Sequence, residues 1–148
     1  MSEIKSIEQV IAEEGKLVLS TAGVSMKPLL GNRRDTVIIL PVTGRLKKYD
    51  VPLYRRGEKC VLHRIVDVLP DSYVICGDNC ESYEYDITDD NIIGVLTAFY
   101  RKDKYYTVED TWYKVYSVCV VKLFPLRKFL KKPRRVLARI YRKIFPKK

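Results

Sequence analysis

The sequence predicts a mainly β protein with a short helix ahead of the sheet and a basic helical tail after it. Three observations lead to this fold class. Apolar residues recur at helical spacing near the start, short β-branched runs alternate with turn residues from residue 36, and a helical period returns after Asp110. A chain of 148 residues is long enough to bury a core. We therefore expect an antiparallel β domain over 1–110 and a helical tail over 111–148.

The N-terminal segment SEIKSIEQVIAEEG predicts a short amphipathic helix. Its apolar side chains share one helical face: Ile4, Ile7, Val10 and Ile11. Ser2 is positioned to cap this helix and Gly15 to end it. The strands that follow are TVIILPV, DVPLYRR, KCVLHRIVDVL, SYVICG, NIIGVLTAFYR and KYYTV, and the breaks TGR, RRGE, LPDS and GDN suit hairpin connections.

The net charge of +10 is concentrated in the tail. Residues 111–148 contain 13 basic and no acidic residues, whereas residues 1–110 contain 15 basic and 18 acidic ones. The tail also has an apolar stripe at helical spacing: Leu126, Phe129, Leu130, Pro133, Leu137, Ile140, Tyr141 and Ile144. This pattern predicts a basic amphipathic helix, kinked or restarted at Pro133.

Three partners suit such a tail. The apolar stripe can pack on the β domain or lie in an anionic membrane surface. Alternatively, the Lys and Arg side chains of the tail can bind nucleic acid. The regular stripe favours the membrane surface, through residues 126–148, over nucleic acid. Trp112, Tyr113 and Tyr116, which stand just before it, are residue types of the membrane interface.

The sequence shows neither a signal peptide nor a run of apolar residues long enough to cross a membrane. We therefore expect a peripheral membrane or cytoplasmic location and reduced thiols at Cys60, Cys76, Cys80 and Cys119.

One group of residues could carry out acyl transfer. His63, the only histidine, stands in CVLHRIVDVL, and the turn LPDS joins this run to SYVIC and then to GDN. A hairpin of these two runs could bring Asp78 near the His63 ring. A serine hydroxyl needs a base, and an imidazole acts best when a carboxylate orients it. Ser25, in AGVSMKPLL, supplies the hydroxyl.

These motifs resemble those of the type I signal peptidases. GVSMKP resembles their serine box, HRI resembles the box in which the endoplasmic-reticulum and sporulation-type members place a histidine base, and GDN with IIGVLTAFY resembles their closing boxes. The likeness covers roughly residues 20–100, in order and spacing. It implies a β-rich signal-peptidase-type domain with Ser25 as nucleophile, His63 as general base and an acidic residue near GDN as the orienting group.

The resemblance also implies a substrate. The sequence itself differs from the family pattern in three places. The substrate would be a signal or leader peptide, or a similar precursor, bound as an extended strand, and no cofactor is needed. A charged amphipathic segment stands where relatives have a membrane helix, and Gly23 replaces a serine that could help to hold the oxyanion. In GDNCESYEYDITDD, Glu84 and Asp86 compete with Asp78 as the acid, and Asp78 is preferred.

Two further interpretations remain open. Cys60, His63, Cys76 and Cys80 have ligand types and spacings that a zinc-stabilised module could use, although strand periodicity places Cys60 and His63 on opposite faces. The same fold could also serve as a non-catalytic module that binds membranes or nucleic acid. The serine endopeptidase is the preferred prediction.

Overall fold

The computed structural model describes residues 6–144, except for the side chains of 132–135, 138, 140, 142 and 144. It confirms the mainly antiparallel β class: two sheets form a curled half-barrel, and three α-helices accompany them. The first sheet has the strand order β1-β2-β8-β3-β4, with β9 also paired to β8, and the second has the order β5-β6-β7. Every pairing between strands is antiparallel.

The six predicted runs are all strands, but one of them is divided in two, and β1 and β7 were not predicted. The strands are β1 Leu17–Ser20, β2 Asp35–Leu40, β3 Pro52–Arg56, β4 Lys59–Leu62, β5 Arg64–Val68, β6 Tyr73–Cys76, β7 Glu84–Ile87, β8 Ile92–Arg101 and β9 Lys104–Thr107. The run KCVLHRIVDVL is two strands, because the chain leaves the first sheet after β4 and enters the second with β5. His63 stands between them.

The helix α1 spans Ile7–Glu14. Ser6 caps it through a capping box with Gln9, and Gly15 ends it with φ 69°, a left-handed conformation that glycine adopts without a Cβ clash. The predicted cap Ser2 lies outside the described residues. Gly15 as the terminator is confirmed.

The tail contains two helices, α2 Thr111–Lys122 and α3 Phe124–Ile144. The helix does not restart at Pro133, as one form of the prediction had it: the backbone is helical through that residue, and the interruption lies at Leu123. Pro125 stands in the first turn of α3, where its missing N–H leaves no helical bond unmade. Among residues 6–144, no helix is both long and apolar enough to cross a membrane.

The apolar side chains form two buried clusters, and the smaller one includes Tyr54 of the first sheet together with residues of the second. The larger contains Ile11, Leu17, Met26, Leu29, Leu30, Val37, Ile39, Val51, Leu53, Leu96, Phe99 and Tyr113. The smaller contains Leu46, Tyr54, Ile65, Tyr73, Ile75 and Ile87. Because Tyr113 of α2 belongs to the larger cluster, the start of the tail packs on the β domain, and Tyr113 is buried rather than free to meet a membrane.

Candidate active site

Ser25 lies in the loop that joins β1 to β2. Met26, Leu29 and Leu30 anchor this loop in the larger cluster, while Ser25 itself stays half-buried. Asn79 of GDN holds the loop from the other side: its backbone N–H donates to the Ser25 carbonyl oxygen over 2.7 Å, and its side-chain amide donates to the Val24 carbonyl oxygen over 3.1 Å. The GDN motif therefore positions the serine loop.

His63 lies at the junction of the two sheets and is buried. Its Nδ1 lies 3.0 Å from Glu84 Oε1 and 3.1 Å from the Tyr54 hydroxyl. An ionised carboxylate only accepts hydrogen bonds, so Nδ1 carries the proton and Nε2 keeps its lone pair. Among the described residues, none forms a hydrogen bond with Nε2. This tautomer is the one that a general base requires.

The pKa values of the pair suit a neutral base beside an ionised acid. Burial lowers the pKa of His63, and the nearby Glu84 carboxylate offsets only part of that effect. Burial raises the pKa of Glu84, but hydrogen bonds from Tyr54 and Arg56 and the neighbouring ring outweigh it, so that this pKa lies below its ordinary value. At neutral pH, His63 can therefore accept a proton while Glu84 is charged.

Asp78, the preferred acid, does not contact the ring. Its two carboxylate oxygens accept hydrogen bonds from Nε and Nη2 of Arg64, both over 2.8 Å, in an ion pair with both side chains 1% exposed. The register explains this correction. Arg64 pairs with Cys76, so the next pair places His63 opposite Gly77, and Asp78 points to the other face, where Arg64 lies.

Of the two alternatives to Asp78, the structure places Glu84 on the ring. Glu84 pairs with Ile75 across β6 and β7, which puts it on the face that His63 shares. Asp86 is exposed, has φ 63°, and forms no hydrogen bond to the ring in the described part of the chain. Tyr54 and Arg56, which contact His63 and Glu84, were not anticipated from the sequence.

Ser25, His63 and Glu84 line one cavity of about 620 Å³. No hydrogen bond joins Ser25 Oγ to the ring within residues 6–144, so the two groups share the cavity without being hydrogen-bonded to each other. Gly77 stands between them: a Cβ at this position would lie 2.8 Å from the Ser25 carbonyl oxygen and 3.0 Å from His63 Cδ2. The GDN glycine therefore permits the approach of the serine loop to the histidine.

Gly77→Ala should lower activity by about 10²-fold, because the added methyl displaces the serine loop or the ring and misplaced groups lose productive geometry. Cleavage rates of the variant and of Gly44→Ala, at a turn with open space around its Cβ, would be compared. Gly44 has φ 84°, so its variant controls for loss of stability. Equal activity of Gly77→Ala and the wild type would contradict this account.

The residues of the zinc alternative do not form a metal site. No group of three or more His, Cys, Asp or Glu side chains could hold a metal ion among the residues that the structure describes. Cys76 Sγ instead donates to the carbonyl oxygens of Gly77 and Ser82, and burial raises its pKa to about 12. The four side chains of the zinc alternative therefore do not converge on one metal position in the described part of the chain.

In comparisons with known proteins, no family model, curated protein or solved structure matches the chain. The likeness to signal peptidases therefore depends on the three sequence motifs. Any function must be argued from the arrangement of Ser25, His63 and Glu84.

Proposed function

We propose that this protein is a serine endopeptidase of signal-peptidase type that cleaves leader peptides or similar precursors. One observation supports this above all: His63, held by Glu84 through Nδ1, lines the same cavity as Ser25, and no described residue forms a hydrogen bond with its Nε2. Ser25 is the nucleophile, His63 the general base, and Glu84 the group that fixes the tautomer and stabilises the imidazolium.

The proposed reaction has two steps. Ser25 Oγ attacks the scissile carbonyl as His63 Nε2 takes its proton, and His63 then protonates the leaving amine as the C–N bond breaks. Water hydrolyses the acyl-enzyme by the same route. The Ser25 N–H, which donates to no other described residue, is available to the oxyanion, and Gly23 offers no hydroxyl there.

The sheet topology supports an extended peptide as the substrate. β1 and β4 end the strand order of the first sheet, and both line the cavity, through Leu19 and Ser20 on one side and Val61 and Leu62 on the other. A peptide strand lying between them can use their unpaired backbone groups. The largely apolar wall of the cavity would then receive uncharged side chains.

Labelling by a fluorophosphonate, which reacts with activated serines, tests the proposal. We expect one adduct per chain on Ser25, found by peptide mapping, and its loss in both Ser25→Ala and His63→Ala. Ser20→Ala and Ser82→Ala, two other serines of the cavity, are matched controls and should label as the wild type does. A non-catalytic module predicts no adduct, and that outcome would refute the peptidase.

The labelling rate should depend on pH through His63. The ring accepts a proton only when neutral, and burial lowers its pKa below the ordinary 6.5. The rate should therefore stay high as pH falls to 6.5 and decline only at lower pH. Rates measured across this range with the wild type test this, and a half-maximal rate above pH 6.5 would contradict it.

A further inference from the structure

The last helix is attached to the domain by one face. Phe124 is buried and stacks on Tyr83, with ring centroids 4.4 Å apart. On the same face, Arg127 donates to the carbonyl oxygens of Asp78 and Cys80, and Lys131 donates to the Asn79 side-chain oxygen over 2.9 Å. Arg127 and Lys131 of α3 thus hold residues 78–80, the segment that positions the serine loop.

The described side chains of the apolar stripe lie on a different face of α3 and are exposed. Leu126 and Leu130 are 53% and 58% exposed, and Phe129 and Leu137 are 68% and 65% exposed. These four side chains therefore do not pack on the β domain, which was one of the uses expected for the stripe. Large apolar side chains aligned on an exposed helix face mark an interaction surface.

The charge of α3 indicates which kind of partner can bind this exposed face. Its 21 residues include nine Lys and Arg and no acidic residue. A second copy of the chain would bring like charges together, and nucleic acid would meet the cations but leave the apolar stripe in water. An anionic bilayer uses both features, since headgroups attract the cations and the acyl boundary accepts the apolar side chains.

We propose that α3 binds the surface of an anionic lipid bilayer, with Leu126, Phe129, Leu130 and Leu137 inserted at the acyl boundary. The helix lies in the plane of the interface. Because its first turns hold residues 78–80, the bound protein keeps the cavity with Ser25 beside the bilayer.

Co-sedimentation of the full chain with vesicles tests this proposal. Phosphatidylcholine vesicles that contain phosphatidylglycerol should bind the protein, with an affinity that falls as salt is added, and pure phosphatidylcholine vesicles should not. Phe129→Ser with Leu137→Ser should weaken binding by at least about tenfold, since each side chain would leave an apolar environment. Leu69→Ser with Tyr105→Ser, exposed apolar residues elsewhere, should bind as the wild type does.

Other outcomes would overturn the proposal. These are equal binding to both kinds of vesicle, no binding to either, or full binding by Phe129→Ser with Leu137→Ser. Tighter binding to a labelled RNA or DNA duplex that survives loss of the stripe would assign the helix to nucleic acid instead. Ser25→Ala should bind vesicles as the wild type does, so this test is independent of the peptidase activity.

Discussion

Glu84→Gln should lower the kcat for peptide cleavage by about 10³–10⁴-fold and leave the fold intact. The amide can donate to His63 Nδ1, which moves the ring proton to Nε2 and removes the lone pair that Ser25 needs. The variant also loses the charge that stabilises the imidazolium. Its lost ion pair with Arg56 is half-exposed and contributes little to stability.

Asp86→Asn is the matched control for this variant, because it changes an exposed carboxylate on the same strand that does not contact the ring. We expect its kcat to equal that of the wild type. Steady-state kinetics on one peptide substrate compare the two variants, and thermal unfolding checks that both are folded. A loss of kcat in Asp86→Asn with none in Glu84→Gln would reverse the assignment of the acid.

Asp78→Ala should lower the free energy of unfolding by about 3–5 kcal/mol, because it leaves the Arg64 guanidinium buried without its counter-charge. The pair also joins separate elements: Arg64 Nη1 donates to Ser117 Oγ of α2 over 2.7 Å, and the Tyr116 hydroxyl donates to Asp78 Oδ2 over 2.9 Å. Its loss should therefore loosen the attachment of α2. Urea denaturation of the full chain measures the effect.

Two further variants separate this structural role from a catalytic one. Glu109→Ala removes one partner of an exposed ion pair with Lys114 and should cost no more than about 1 kcal/mol. Arg64→Met with Asp78→Leu replaces both buried charges and should recover much of the stability. If Asp78→Ala were as stable as the wild type and yet lost labelling at Ser25, Asp78 would be the catalytic acid after all.

The first helix and the strands other than β1 and β7 were predictable because their signals are local. Alternation, turn residues and the Gly15 terminator depend on neighbours in the sequence. The acid was harder to predict, since hairpin proximity alone places Asp78 near His63. The face on which Asp78 lies depends on the register, which pairs Arg64 with Cys76. Glu84 lies on the following strand, so its position beside His63 depends in the same way on the register between β6 and β7.

The faces of the tail could not be assigned from the sequence alone. Helical spacing identified the apolar stripe, but the sequence does not show which face meets the domain. The structure attaches α3 through Phe124, Arg127 and Lys131, which lie outside the stripe. Likewise, the helical period did not show that the interruption lies at Leu123, because apolar spacing alone does not mark where one helix ends and the next begins.

A crystal structure of the phosphonate adduct tests the central claim most directly, because it shows the reacting groups together. We predict a bond between phosphorus and Ser25 Oγ, the phosphonyl oxygen on the Ser25 N–H, His63 Nε2 within hydrogen-bond distance of Oγ, and Nδ1 still on Glu84. An adduct on another residue, or a ring turned away from Ser25 and Glu84, would contradict the proposed mechanism.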